Sequence, residues 1–180
     1  AYFSWIWDKE KSKKLALIGV PLALAVSLYS GFVLLQMKAH TLWHSALIPV
    51  LFSVSAIISG IALIILVAIL TQVEKEVIER LGKFLVWFIA LDLLLVIVEI
   101  FTLFNGHQEA VELARLLLVG AYAPLFLGLY VILGLIVPLF VLTRKELTLK
   151  AESIASMLVL IGILAMRYVV VLGGQYFPLS

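Results

Sequence analysis

Long apolar stretches separated by short polar segments are the dominant pattern of this sequence. Five stretches are each near or above the roughly 20 residues that a helix needs to cross a bilayer. Because a backbone facing lipid must satisfy its own hydrogen bonds, we expect all five to be helices. The sequence therefore predicts an all-α integral membrane protein, a single domain over residues 1–180 with spans at about 15–36, 46–71, 84–104, 116–142 and 153–174.

The composition agrees with this pattern and excludes several kinds of site. Of the 180 residues, 64% are hydrophobic and 13% are charged, whereas a soluble domain usually has about a quarter charged residues. The absence of cysteine excludes disulfides and any cysteine-ligated metal or iron–sulfur cluster held by this chain. The formal net charge of +2 is too small to indicate a nucleic-acid partner.

The distribution of lysine and arginine predicts the orientation in the membrane. The N-terminal tail and two alternate loops carry ten cations, against only Lys38 and Arg115 on the opposite face. Cytoplasmic segments are enriched in lysine and arginine, so the N-terminal tail is predicted in the cytoplasm and the C-terminus outside. The ten are Lys9, Lys11, Lys13, Lys14, Lys75, Arg80, Lys83, Arg144, Lys145 and Lys150.

Tyr29, Ser30 and Gly31 lie near the outer end of the first predicted span. Small residues such as serine and glycine let a neighbouring helix or a flat ligand approach closely. Two interpretations are open from these residues alone. They form either a small-residue packing notch beside an interfacial tyrosine, or one wall of a binding site.

His40, Trp43 and His44 form a polar corner between the first two spans. The two histidines are one helical turn apart, but no nearby Cys, Asp or Glu completes a metal site. The corner is either an ordinary interfacial turn or a place where histidines move protons or contact a partner protein. A haem or metal held by this chain is not expected, because its histidines all map to outer loops.

Asp92 and Glu99 are acidic residues inside the third span, seven positions apart and therefore on one helix face. Intramembrane acids are costly when charged and are candidates for function, although a structural hydrogen bond or ion pair is the alternative. Arg167, inside the fifth span, also needs a partner. Tyr29, Glu99 and Arg167 each lie roughly 22–24 Å from the inner boundary at 1.5 Å per residue, so we predict a Glu99–Arg167 pair or a shared polar cluster.

Prolines within the fourth span predict a kinked helix. Pro124 and Pro138 lie inside this apolar stretch, and proline frees backbone carbonyls that then need other partners. A kink can open a cavity, and Tyr122 and Tyr130 are placed to hydrogen-bond into one. The pattern EAVELARLL at the start of this span suggests an early helical turn, whereas the polar segment EKEVIERLGK before the third span is predicted to be a solvated connection.

Several motifs in order resemble those of the NrfD/PsrC family, the membrane subunits of polysulfide reductase and related respiratory complexes. The family's tyrosine–threonine–glycine motif corresponds to Tyr29–Gly31, with serine in the middle position, and Trp43 and Pro49–Phe52 match the motif that follows. Residues 133–140 and 162–175 resemble the family's last two helices. The resemblance covers about 29–175.

The resemblance implies a quinone site near the outer membrane face, with menaquinone or ubiquinone as substrate. It implies a ferredoxin-like iron–sulfur subunit docked at that face and a catalytic subunit, often a molybdenum enzyme, beyond it. The implied location is the inner cell membrane. Tyr29 is the first candidate for binding quinone, and Asp92, Glu99 and Arg167 are candidates for a proton path; the other quinone-binding candidates are Ser30, Gly31, Trp43, His44 and His40.

The chain is expected to belong to a longer subunit or assembly. It begins with AYFSWIW, which is similar to the aromatic end of an earlier hydrophobic segment. Family members have further helices before the tyrosine motif, and these contribute much of the pocket. We therefore expect such helices to come from the same or another membrane subunit.

Three functions are consistent with these features. The main hypothesis is a quinone-reactive membrane subunit of a multi-subunit oxidoreductase, not catalytic alone. The second is a structural anchor that holds the iron–sulfur partner and binds no quinone. The third is an ion or proton transporter, which the kinked fourth span and the buried charges allow, although no inverted repeat is visible.

Overall fold

Helices form the regular structure of the chain. The computed structural model describes residues 9–36, 47–144 and 148–174, and these contain no β-strand. The predicted all-α class is therefore confirmed. In chain order the elements are α1 (Lys9–Leu35), α2 (Leu47–Leu70), α3 (Lys75–Phe104), α4 (Gln108–Leu118), a π-helix (Pro124–Ile136), α5 (Val137–Leu142) and α6 (Leu149–Gly174).

Four segments within the described residues are long and apolar enough to cross a membrane. Helix α1 adds a shorter apolar stretch, Leu17–Val33. Length and apolar composition thus agree with a multi-pass membrane protein, while the division into five spans stays a prediction. The four long segments are Leu47–Leu70, Lys75–Phe104, Pro124–Leu142 and Leu149–Gly173.

Helix α3 begins nine residues before the predicted span 84–104, at Lys75. The segment is largely exposed, as expected of a solvated connection, but the expectation of a loop was wrong, because the segment is the first part of the helix. Lys75 Nζ lies 3.3 Å from Glu79 Oε1, and Arg80 Nη2 lies 2.6 Å from Glu76 Oε1. Ion pairs with this i,i+4 spacing stabilise a helix by a few tenths of a kcal/mol each, so a charged segment can extend an apolar helix into water.

The predicted span 116–142 is divided into two parts. Helix α4 ends at Leu118, and the long apolar segment begins at Pro124. A Cβ on Gly120 would lie 2.7 Å from the Leu116 Cα, so this tight turn requires glycine. Helix α4 is a separate amphipathic helix, in agreement with the EAVELARLL pattern, and buries Ala110, Leu113, Ala114 and Leu117.

The core lies between α2, α3, α6 and the π-helix with its continuation α5. Helix α6 packs against the π-helix, α5 and α2, and α2 also packs against α3. Helix α1 lies at the edge, where it packs against α2. Helix α3 presents one heptad-spaced face to the core, consisting of Ile78, Gly82, Leu85, Ile89, Asp92, Val96, Glu99 and Leu103.

Gly134 of the π-helix and Gly162 of α6 bring two backbones into direct contact. A Cβ on Gly162 would lie 2.4 Å from the Gly134 Cα, and one on Gly134 would lie 2.6 Å from the Gly162 Cα. Small residues are what permit such close approach of membrane helices. This contact holds the π-helix firmly against α6 and so fixes the position of Tyr130, four residues earlier.

Candidate functional site

A carboxylate–phenol pair lies in the centre of the bundle. The Tyr130 hydroxyl donates a hydrogen bond of 2.8 Å to Asp92 Oδ2. Both residues are 0% exposed. The pair therefore joins α3 to the π-helix within the apolar core.

The second carboxylate oxygen of this pair is available. Within the described residues, Asp92 Oδ1 is buried and has no hydrogen-bond partner. Buried polar atoms are nearly always paired with protein or water. An open acceptor at mid-membrane therefore indicates a place for a proton or a water molecule, which is typical of functional intramembrane acids.

The π-helix determines how Tyr130 reaches Asp92. It runs for 13 residues, although π-helices normally occur as single turns and are frequent at functional sites. Pro124 stands at its first position and has no amide N–H to donate. The Phe126 ring packs beside Tyr130, with ring centroids 5.8 Å apart and planes tilted by 56°.

A small cavity lies between Tyr130 and Glu99. Its volume is about 40 Å³, and side chains of α2, α3, α4, the π-helix and α6 line it. Tyr130 and Glu99 are among these lining residues. The accessible walls of the cavity are apolar, and apolar cavities usually contain no water, so the cavity places Tyr130 and Glu99 near each other without joining them through a polar contact.

Glu99 lies on α3 and Arg167 on α6. Glu99 is 7% exposed and lies on the same buried face of α3 as Asp92. Arg167 is half-buried, and its guanidinium carbon lies 5.1 Å from the centroid of the Phe52 ring, a cation–π distance. Arg167 also lines an open groove of about 750 Å³ between α6 and the π-helix. The pairing of Glu99 with Arg167 stays a prediction.

The tyrosine–serine–glycine motif is on the edge helix α1. Tyr29 is 69% exposed and lines neither the small cavity, nor the groove beside Arg167, nor a second groove bordered by Glu79 and Arg144. The Ser30 hydroxyl donates to the Val26 carbonyl of its own helix at 3.1 Å.

Gly31, the last residue of this motif, makes a close contact between α1 and α2. It is buried, and a Cβ there would lie 2.4 Å from the Pro49 Cα. The packing notch is therefore present, because only glycine leaves room for the backbone of α2 at this point. The contact accounts for the glycine without a ligand.

Gly31→Ala should weaken the packing of α1 against α2. The added methyl has no room beside Pro49, and overpacking of this kind costs roughly 1–3 kcal/mol. Gly19→Ala in the same helix is the control, because nothing lies within 4 Å of a Cβ there. An unfolding titration in detergent compares the two, and equal stability of both variants would contradict the contact.

The polar corner between α1 and α2 lies outside the described residues. His40, Trp43 and His44 therefore remain candidates on the sequence alone. Within residues 9–36, 47–144 and 148–174, no three His, Asp or Glu side chains are grouped so that they could hold a metal ion.

A third buried acid, Glu152, was missed by the sequence reasoning. Glu152 and Ser156 are both 0% exposed near the start of α6. On the sequence alone, Glu152 marks only the inner boundary of a span. Its helical phase could have revealed it, because Glu152 and Ser156 continue the buried face that Val159 and Ile163 form further along.

Sequence comparison identifies relatives of this protein. Residues 4–179 match the family model described as "Polysulphide reductase, NrfD". The "Protein NrfD homolog" of Haemophilus influenzae is 29% identical over 86% of this chain and 50% of its own length. The family match therefore extends over nearly all of the sequence.

Two further relatives are named as components of reductases. One, a subunit of the selenate reductase of Mesobacillus selenatarsenatis, is 28% identical over 96% of this chain and 42% of its own length. The other, from the polysulfide reductase of Wolinella succinogenes, is 26% identical over 92% of this chain and 55% of its own length. The protein described here spans about half the length of the curated relatives it matches.

Proposed function

The chain belongs to the NrfD family of polysulphide-reductase-type membrane proteins, and from this premise we propose that it is the quinone-reactive membrane part of a multi-subunit respiratory oxidoreductase. In this proposal it binds quinone or quinol near the outer face of the inner cell membrane. Electrons pass to or from an iron–sulfur subunit docked at that face, and a catalytic subunit, for example a molybdenum enzyme, lies beyond. Protons pass through the bundle interior.

The buried Asp92–Tyr130 pair is the observation that carries this proposal. Its open carboxylate oxygen, and a second acid, Glu99, on the same buried face of α3, favour proton transfer over a purely structural contact. Quinone reduction consumes two protons for every two electrons, so a quinone-reactive protein needs groups that deliver or remove protons. Asp92, Tyr130 and Glu99 supply such groups in the membrane interior.

Tyr29 would orient the quinone headgroup. A phenol can donate a hydrogen bond to a quinone carbonyl, and the exposed side chain of Tyr29 leaves that hydroxyl free to face a pocket completed by another polypeptide segment. Arg167, on the same side of the membrane as Tyr29, would influence the charge state of the acids in the proton path. The remaining wall on this chain would be formed by Ser30 and Gly31, with His40, Trp43 and His44 of the polar corner.

The partners follow from the same reasoning. Two relatives are named as components of a selenate reductase and a polysulfide reductase, and these names describe them as parts of larger enzymes. We assign the same type of place to this protein, with a ferredoxin-like subunit at the outer face. Helices of the same or another membrane subunit would cover the exposed face of α1.

Tyr29→Phe in the complete complex should lower quinol-linked turnover about tenfold or more, because one hydrogen bond to a charged or developing oxyanion contributes roughly 1.5–3 kcal/mol. Steady-state kinetics with a quinol analogue and inhibitor titration measure the effect. Tyr168→Phe, at an exposed tyrosine of α6, is the control. Unchanged turnover and inhibitor affinity in Tyr29→Phe would remove Tyr29 from the site.

A structural anchor is the second candidate, and two observations favour it. Tyr29 lines neither the small cavity nor either of the two grooves, and Gly31 is explained by its contact with Pro49. An anchor would hold the iron–sulfur subunit without binding quinone. A redox titration of the partner's clusters with a bound quinone analogue separates the candidates, because only a quinone site near a cluster shifts its potential.

A further inference from the structure

Glu152 and Ser156 form a second buried polar site, at the opposite end of α3 from Glu99. They lie one helical turn apart on the core face of α6, and both are 0% exposed. Within the described residues, neither carboxylate oxygen of Glu152 nor the hydroxyl oxygen of Ser156 has a hydrogen-bond partner. Burying three polar atoms without hydrogen-bond partners is costly. The site therefore favours an occupant that forms hydrogen bonds with them.

Helix α3 passes beside Glu152 at a glycine. Gly82 of α3 faces the carboxylate, since a Cβ there would lie 3.6 Å from Glu152 Oε1. A separation of 3.6 Å is an ordinary van der Waals contact, so the carboxylate lies close to the backbone of α3 inside the bundle.

No cation on the neighbouring elements is committed to Glu152 within the described residues. The sequences of α2, the π-helix and α5 contain no charged residue. On α3, Glu79 and Lys75 interact electrostatically with Glu152. These two residues also form an ion pair with each other at 3.3 Å, and both are partly exposed. Lys150, on α6 itself, is exposed to solvent. Lys83 and Arg144 at this end are exposed as well, and a buried carboxylate without a committed cation among the described residues favours its protonated form.

An open groove reaches the same end of the bundle. Its volume is about 440 Å³, and its lining includes Glu79, Lys83 and Arg144. Glu79 thus both borders this groove and acts on Glu152. The distribution of lysine and arginine predicts that this end faces the cytoplasm, so water from that side can come close to the buried acid.

We propose that Glu152, with Ser156, is a proton-binding site that takes up protons from the cytoplasmic side. A hydronium ion in the groove gives its proton to the Glu152 carboxylate and leaves as water, and the Ser156 hydroxyl, one turn away, solvates the site. Gly82 is ten residues before Asp92 on α3, about 15 Å along the helix at 1.5 Å per residue. Glu152 therefore lies on the cytoplasmic side of the central pair. That these protons serve quinone chemistry rests on the proposed function.

Carbodiimide labelling of the complete complex in native membranes tests the site without turnover. Dicyclohexylcarbodiimide reacts with protonated carboxyl groups in apolar surroundings. The acid oxygen bonds to the central carbon, and the proton moves to a nitrogen. We expect an adduct on the peptide containing Glu152, more abundant in mildly acidic than in mildly alkaline buffer and absent in Glu152→Gln. The control Glu76→Gln changes a residue whose side chain is 71% exposed and should leave the adduct unchanged.

Two outcomes of the labelling would overturn the proposal. The first is no adduct on Glu152 at any pH. The second is protection of Glu152 by sodium ions at constant pH, which would assign the site to a metal cation instead of a proton.

Proton uptake by sealed, inside-out vesicles tests whether the protons enter from the cytoplasmic side. In the complete complex, Glu152→Gln should lower quinol-linked proton uptake from the cytoplasmic face at least tenfold relative to Glu76→Gln. Wild-type uptake in Glu152→Gln would overturn the uptake role. If the unmodified complex shows no quinol-linked electron transfer at all, the proposed function fails, and the labelling result still decides whether Glu152 binds a proton.

Discussion

Asp92→Asn should lower quinol-linked turnover of the complete complex about 10²-fold, the scale on which a positioned acid–base group contributes. The amide keeps an oxygen that can accept the Tyr130 hydrogen bond, which is 2.8 Å long in the unmodified protein, but it cannot exchange a proton. The fold should therefore survive while proton transfer stops. Turnover and proton uptake in sealed vesicles are the measurements, with detergent stability as a check on folding.

Glu112→Gln is the matched control for this prediction, because Glu112 is an exposed acid on α4. Its turnover should equal that of the unmodified complex. Tyr130→Phe, which removes the hydroxyl but keeps the ring, should reduce turnover as well. If Asp92→Asn turned over normally while folding normally, Asp92 would be a structural residue and the path through the bundle would be wrong.

Gly162→Ala should destabilise the bundle by roughly 1–3 kcal/mol, the usual cost of forcing an extra carbon into a filled interior. The new Cβ would lie 2.4 Å from the Gly134 Cα, and a backbone atom cannot move aside as the end of a flexible residue does. Helix α6 and the π-helix would separate, and Tyr130 would shift relative to Asp92. Thermal unfolding in detergent measures the loss of stability.

The control for this substitution is Gly128→Ala in the π-helix, where nothing lies within 4 Å of an added Cβ. Its stability should be equal to or slightly above that of the unmodified protein, because alanine favours helix over glycine. Gly134→Ala, on the other side of the same contact, should match Gly162→Ala. Equal stability of Gly162→Ala and Gly128→Ala would contradict the backbone contact.

The apolar spans were predictable because every side chain that faces lipid has to be apolar. The ends of the helices were less predictable. The charged start of α3 was predicted as a connection, since hydropathy alone cannot distinguish a solvated helix from a solvated coil. Its ion pairs between Lys75 and Glu79 and between Glu76 and Arg80 could have signalled a helix. The 13-residue π-helix has no comparable signal, because its register depends on the packing of Gly134 against α6.

The acids of the site were predictable in part. Asp92 and Glu99 were found because charge in the membrane interior is rare, and Tyr130 was identified as a hydrogen-bonding residue. The contact between Asp92 and Tyr130 depends on which face of the fourth span turns inward, and the π-helical register decides that. Glu152 escaped notice because it lies near a helix end, where an acid is ordinary unless its burial is known.

The segment Pro124–Leu142 is short for a helix that crosses a bilayer. As a regular α-helix its 19 residues would reach about 28 Å at 1.5 Å per residue, just under the roughly 30 Å of a typical hydrocarbon core. Turns closed by i→i+5 bonds hold more residues than α-turns, so Pro124–Ile136 advances less. A membrane accommodates such a mismatch by thinning. We therefore expect a dimple in the lipid beside this helix, which brings the headgroup region nearer to Tyr130 than the thickness of the surrounding bilayer would allow.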